Sequence, residues 1–404
     1  MDPTSARPAA LRFILFAVLL DALGIGLIIP VLPAVVDALN TGTGRETATV
    51  YGLLVGTYAL AQFLCAPLIG ALSDRFGRRP VLLVSIATLG INFAATYWAP
   101  TLAWLFATRL LSGATAANVT AANAYVADVS DAGVDRARNF GRVGAMFGIG
   151  FVVGPALGGV LGETDPRLPF LVAAGLCALN VLYGVVVLPE SLPPGRRRPV
   201  DVSRLNPVGA LAALGRYPAV GRLAVVVGLT AVAQYALHAS WVLYTGERYG
   251  WGPRANGLSL MAVGVFMAGV QGGLIGRLST AFGDRRLLML GLACAAAAQA
   301  GMGLAPTAAW FFAALPLAAL GGVAGPSAQS LVTQRVPAGE QGAVQGALAS
   351  LSSLAAVVSP LGATTLLAHF TQRGPVPYVP GAPLLAGALT LVAAAGVAAG
   401  VRRS

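Results

Sequence analysis

Apolar runs of about 20 residues, long enough as helices to cross the roughly 30 Å hydrocarbon layer of a bilayer, recur along the whole chain. Read between charged positions and Pro/Gly punctuation, they predict twelve spans. These lie near residues 11–39, 48–73, 80–98, 101–127, 138–162, 168–189, 219–246, 256–281, 286–304, 308–334, 341–369 and 381–401. The longest polar stretch, PESLPPGRRRPVDVSRLNP (189–207), falls between spans six and seven and has the prolines and arginines of a solvated linker. The expected fold is therefore an all-α integral membrane protein of twelve transmembrane helices in two six-helix bundles. The first bundle covers 1–190, the linker 191–216 and the second bundle 217–404.

Composition supports this class. Of 404 residues, 56% are hydrophobic and 10% charged, and the mean hydropathy of +0.76 is far above that of a soluble domain. The first run is too long and too poor in small-residue cleavage signals for a signal peptide, so it is read as a helix. Charge then orients the chain. All 26 basic residues are arginine, and with the N-terminus inside, the inner segments hold 20 of them. The outer segments hold Arg45, Arg167, Arg248, Arg254 and Arg373, while Arg109 is embedded in span four. The positive-inside rule predicts both termini cytoplasmic and makes the net charge of +11 topogenic, with no nucleic-acid partner. Cys65, Cys177 and Cys294 lie in apolar runs without metal-ligand spacing and read as packing residues. No nucleophile–base cluster or phosphate loop appears, which argues against an enzyme. No cofactor is expected, and uphill transport would draw on an ion gradient.

The two halves resemble each other. GALSDRFGRRPVLL (70–83) lies 206 residues before GRLSTAFGDRRLLM (276–289), and GPALGG (154–159) lies 205 before SPLGAT (359–364). Two matches at nearly one offset predict an internal duplication. The second copy carries Thr280 and Ala281 where the first has Asp74 and Arg75.

Several residues in these runs carry candidate chemistry. Around Gly70, Gly77 permits a tight turn, and Asp74 is placed to meet the positive end of a helix. Arg78 and Arg79 are placed to pair with Asp128 at the end of span four; solvated topogenic charge is the plainer alternative. Gly150, Gly154, Gly158 and Gly159 form a stripe of small residues, and Pro155 kinks the same helix. Close helix packing and a hinge or seal between the bundles are both open for that stripe. Asp21 sits in FAVLLDALGIGLIIPVLP (16–33), where burying a charge costs about 3 kcal/mol even on lenient scales. It either pairs with Arg109 or helix backbone, or faces a central cavity where it holds a proton in one state and substrate in another. Gln62, Asn92, Asn118, Asn123 and Gln271 would line that cavity or bond neighbouring helices. His238 lies deep in span seven as a second proton-carrier candidate. Trp241 and Glu247 close span seven.

These motifs resemble those of the major facilitator superfamily. GALSDRFGRRP looks like its loop 2–3 signature, RLLSG (109–113) its span-four arginine motif, and GxxxGPxxGG (150–159) the span-five motif of its drug antiporters. LDALGIGLIIPVLP (20–33), YALAQFLCAPLIGALSDRFGRRPVLLVS (58–85), LPES (188–191), WVLYTGERYGW (241–251) and QGALAS (345–350) are most similar to the TetA-type tetracycline–proton antiporters. The resemblance implies proton-coupled efflux of tetracycline through a multi-pass protein of the inner membrane. It also implies a drug substrate, with Mg2+ carried alongside as its chelate, a functional aspartate at Asp21, a loop 70–80 latch and a monomer. Departures leave other cargo open. Asn92 and Met267 stand where some relatives have an acid and a histidine, and LACAAAAQAG (292–301) lacks an expected acid. Efflux of another hydrophobic drug or metabolite, or a membrane protein that binds or senses without transport, are the competing readings.

Overall fold

The computed structural model describes residues 3–40, 44–116, 122, 125–126, 128–129, 134–193, 195, 197, 218–336, 341–372 and 377–400. Among these, all regular structure is helical. Eleven helical segments are long and apolar enough to cross a membrane. The twelfth expected span, at 101–127, is described only as α5 below and a few helical residues beyond it, and Asn118 and Asn123 lie outside the described residues.

The first apolar run divides into α1 (Pro3–Ile28) and α2 (Leu32–Leu39). Pro30 has no N–H to continue the helix, and Val31 instead donates to the Ile28 carbonyl at 3.1 Å. Next come α3 (Gly44–Phe76), α4 (Arg78–Tyr97) and α5 (Leu102–Thr115). The first half closes with α6 (Val134–Thr164) and α7 (Leu168–Val187). The second half begins with α8 (Pro218–Tyr249) and α9 (Pro253–Gly269), and a π-helical turn (Val270–Leu274) joins α9 to α10 (Ile275–Phe282). Then α11 (Asp284–Leu304) leads to a broken span made of α12 (Ala308–Ala313), α13 (Leu315–Gly321) and α14 (Ala324–Thr333). Pro316 and the Gly321–Gly322 pair account for the breaks. The chain ends with α15 (Gln341–Phe370) and α16 (Ala382–Ala399).

Two compact units emerge, and their limits run through helices. The first comprises 1–39, 61–206 and 252–261; the second comprises 40–60, 207–251 and 262–404. In the first, α1 packs along α6 and α7, and α4 packs on α7. The α1–α6 crossing is built on glycine. A methyl group on Gly150 would lie 2.6 Å from the Leu19 carbonyl oxygen, and one on Gly154 would lie 2.7 Å from that of Leu23. Gly158 faces the Leu27 carbonyl in the same way, and on the other side of the crossing a methyl on Gly26 would lie 2.7 Å from Pro155 Cδ. Gly159 turns elsewhere, towards Pro253 and Gly257 of α9. Three of the four stripe glycines thus hold α6 against α1, where close backbone approach replaces the hydrophobic drive that lipid cannot supply.

In the second unit α8 packs on α15 and α16, around a core that includes Leu223, Val226, Leu288, Leu292, Leu348 and Leu391. Large side chains such as Val84, Ile91, Leu179 and Val186 stay exposed on outward faces, as lipid contact requires.

Candidate transport site

The internal duplication holds at the level of single side chains. Thr101 accepts a hydrogen bond from the Trp104 N–H at 3.3 Å at the start of α5, and Thr307 accepts from Trp310 at 3.4 Å at the start of α12. Gly77 and Gly283, again 206 apart, both take positive φ, at 107° and 72°. Each lets a helix restart immediately after a sharp turn.

The residues after each glycine share one plan with the charges exchanged. In the first copy Arg78 pairs with Asp74 at 2.6 Å and with Asp128 at 3.2 Å, and donates to the Ser73 hydroxyl at 3.2 Å. In the second, Asp284 occupies the place of Arg78. Its carboxylate accepts from Ser279 at 2.9 Å, Ser330 at 2.5 Å and Gln334 at 2.9 Å. Ser279 and Gln334 stand 206 residues after Ser73 and Asp128. Arg79 and Arg285 also correspond. Each caps the end of a helix, donating to the Val185 carbonyl at 2.7 Å and to the Ala399 carbonyl at 2.9 Å. Arg78 therefore meets Asp128 as expected, whereas Arg79 bonds backbone.

The helix N-terminus beside loop 70–80 is met by Glu190, not Asp74. One carboxylate oxygen of Glu190 accepts the N–H groups of Arg78 and Leu192, both at 2.9 Å, and the other accepts that of Arg79 at 3.3 Å. A methyl group on Gly77 would run into the same carboxylate, and the positive φ there disfavours any side chain. The Ser191 hydroxyl completes the network, donating to Asp128 at 3.2 Å. Gly70 itself is half-buried with open space at its α-carbon. Glu190 was within the LPES match, and the signal that would have found it is an acid immediately after span six with no other function.

Among the embedded polar residues, Arg109 is buried in α5. Asn92 reaches the same helix from α4, donating to the Thr108 carbonyl at 2.7 Å and to the Ser112 hydroxyl. Its amide thus ties two helices together. Gln62 donates to the Ala116 carbonyl at 3.5 Å at the end of α5. Asp21 is half-buried and lines a small cavity with Leu82 and Ile86 of α4, Ala122, and Cys177 and Asn180 of α7.

The second unit contains a larger cavity, of about 460 Å³. Thr230, Gln234 and Tyr235 of α8, Gln329 of α14 and Ser352 of α15 supply its polar groups, and none of the described residues that line it is charged. Gln234 is hydrogen-bonded to His238 at 3.2 Å, one turn along the same helix. Gln329 donates to Gln345 across to α15. Gln271 lies on the π-helical turn, and its amide and Met267 border the Gly322 turn of the broken span. His238 and Gln271 were singled out in the sequence. The cavity-lining Gln234 was readable from its i, i+4 spacing to His238, but Gln329 and Ser352 carry no local signal.

The Major Facilitator Superfamily model matches residues 14–360. The chain belongs to that superfamily and, within it, to the family of the tetracycline resistance proteins. It is 39% identical to the class C tetracycline resistance protein of Escherichia coli over 89% of this chain and 90% of that protein. It is 38% identical to the class G protein of Vibrio anguillarum over 86% of this chain and 87% of that one. The solved nucleoside transporter NupG superimposes with a TM-score of 0.78 at 14% identity, covering 97% of this chain and 98% of its own, which shows the shared fold. This member of the superfamily is thus a multi-pass membrane transporter for a small molecule, not an enzyme.

Proposed function

We propose that the protein exchanges protons for tetracycline, carried as a Mg2+ chelate, across the bacterial inner membrane. It works as a monomer with both termini in the cytoplasm, uses the proton gradient as its energy source and has no nucleic-acid partner. The cargo reading rests on one observation, the cavity of about 460 Å³ whose mostly apolar wall carries the amides of Gln234 and Gln329 and the hydroxyls of Thr230, Tyr235 and Ser352. That volume is within the roughly 300–1,000 Å³ of drug-sized sites. Neutral donors and acceptors suit a polyhydroxylated ring system whose charge is already met by its metal. The names of the tetracycline resistance relatives supply the identity of the cargo.

Asp21 is the proton-carrying group in this reading, because an intramembrane carboxylate is tolerated where it exchanges a proton or holds a partner. Inside-out vesicles with an acidic interior test both parts. Tetracycline uptake with Mg2+ should collapse on adding a protonophore and be absent in Asp21→Asn. Coupled uptake persisting in Asp21→Asn would overturn the assignment of the proton. Met267 beside Gly322, where some relatives carry a histidine, favours a second reading with another hydrophobic drug or metabolite as cargo. A resistance panel protecting against such a compound, with no tetracycline uptake, would select it. Bound drug without flux would mark a sensor.

A further inference from the structure

The small cavity beside Asp21 has a volume of about 20 Å³. One ordered water needs about 10–15 Å³ on this measure, together with two to four polar partners. Most of the lining surface is apolar, and two of the lining side chains carry hydrogen-bonding oxygens, Asp21 from α1 and Asn180 from α7. Asn180 is 2% exposed, and its Oδ1 finds no donor among the described residues. Buried amide oxygens are otherwise almost always hydrogen-bonded, to protein or to ordered water, because desolvation without a partner is costly. The other described residues of the wall are aliphatic or carry the Cys177 thiol.

We propose that this cavity is a binding site for a single water molecule, held between Asn180 Oδ1 and the Asp21 carboxyl, and that Asn180 is thereby a positioning residue for Asp21. The water donates one O–H to Asn180 in either state. When Asp21 is a carboxylate it accepts the second O–H, and when it is protonated it donates its own proton to the water oxygen. The carboxyl can then load and release a proton without leaving its pocket and without losing its partner. Cys177 is the other titratable group among the described residues of the cavity wall. On α6, packed along α1, the described charged residues Arg138, Arg142 and Glu163 lie towards the helix ends, while Gly150 and Gly154 face α1. Asn180 acts on transport only if Asp21 carries the proton, as proposed above; the water site itself stands apart from that reading.

Two measurements on the full chain in lipid test it. A high-resolution map of the wild type should show one solvent peak within hydrogen-bond distance of both Asn180 and Asp21; a dry cavity in that map overturns the site. Infrared difference spectra give the second readout, with the Asp21 carboxylic C=O band identified by its loss in Asp21→Asn. In Asn180→Leu, which fills the cavity with an apolar side chain of similar size, that band should move to the higher frequency of a weakly bonded carboxyl. Maximal uptake should fall about tenfold at unchanged KM, while Asn180→Ser, retaining an oxygen and room for water, should keep the wild-type band and most of the uptake. An unmoved band in Asn180→Leu overturns the positioning role. If Asp21→Asn transports normally while the solvent peak and the band shift are both seen, the proton assignment fails and the water site stands.

Discussion

Replacing Gly154 by alanine should weaken the protein through one crossing. The new methyl would lie 2.7 Å from the Leu23 carbonyl oxygen and 2.9 Å from Gly26 Cα, both backbone atoms that cannot rotate away. Ordinary heavy-atom contacts are at about 3.5–4.0 Å, so α1 and α6 must part by roughly 0.8 Å, and a gap of that size forfeits a quarter to a half of each contact's dispersion energy. Overpacked interiors lose about 1–3 kcal/mol. Gly148 provides the control, because it lies on the same helix with nothing within 4 Å of a substituted methyl. Both replacements gain up to about 1 kcal/mol of helix propensity, which cancels in the comparison. Gly154→Ala should therefore be about 1–3 kcal/mol less stable than Gly148→Ala, read by detergent-denaturant titration of the purified proteins with tryptophan fluorescence. Gly26→Ala opens the same crossing, so the double variant should lose less than the sum of the two singles. Equal stabilities for Gly148→Ala and Gly154→Ala would refute the glycine crossing and return the stripe to a purely mechanical role.

Glu190→Ala removes the acceptor for three backbone N–H groups and should lower stability by about 1 kcal/mol, the usual scale of a lost helix cap, with slower vesicle uptake. Glu190→Gln should fall between it and wild type, and a fully stable Glu190→Ala would contradict the cap. Asp284→Arg strips Ser279, Ser330 and Gln334 of their acceptor and should impair uptake. Adding Gln334→Asp rebuilds at the equivalent position the pair seen between Arg78 and Asp128, recovering about 1 kcal/mol, and a double variant no better than the single would deny the structural equivalence of the two loops. Gln234→Leu should raise the KM for tetracycline about fivefold with little change in maximal rate, as loss of one net hydrogen bond of about 1 kcal/mol requires. An unchanged KM would remove the large cavity from the cargo path.

Much of the candidate site was legible as a list of residues and little of it as a set of partners. Asp21, Gln271 and His238 stand out because any polar side chain in an apolar run is conspicuous. Asn92 stands out equally, yet its amide is engaged with Thr108 and Ser112 on the next helix. Arg78 and Arg79 are adjacent and look alike, but successive helix positions point about 100° apart, so one meets Asp128 and the other the Val185 carbonyl. Glu190 lies 112 residues from Arg78, and only the docking of α7 beside α4 brings them together.

By itself, the sequence determined the placement of the eleven spans seen among the described residues, the duplication at 206 residues and the glycine and proline positions where helices turn. Those features depend on the transfer of each segment from water to hydrocarbon and on the conformational limits of glycine and proline, which are local properties. Only the tertiary structure decided which polar groups satisfy one another, that Asp284 inherits the place of Arg78 with the opposite charge, and that the limits of the compact units cut through α3 and α9. A hydrogen bond acts over about 3 Å and forms with whichever helix packs alongside. In a bilayer many helix faces are equally apolar, so the choice of neighbour depends on close backbone approaches such as Gly26 on Gly154, which no single segment specifies.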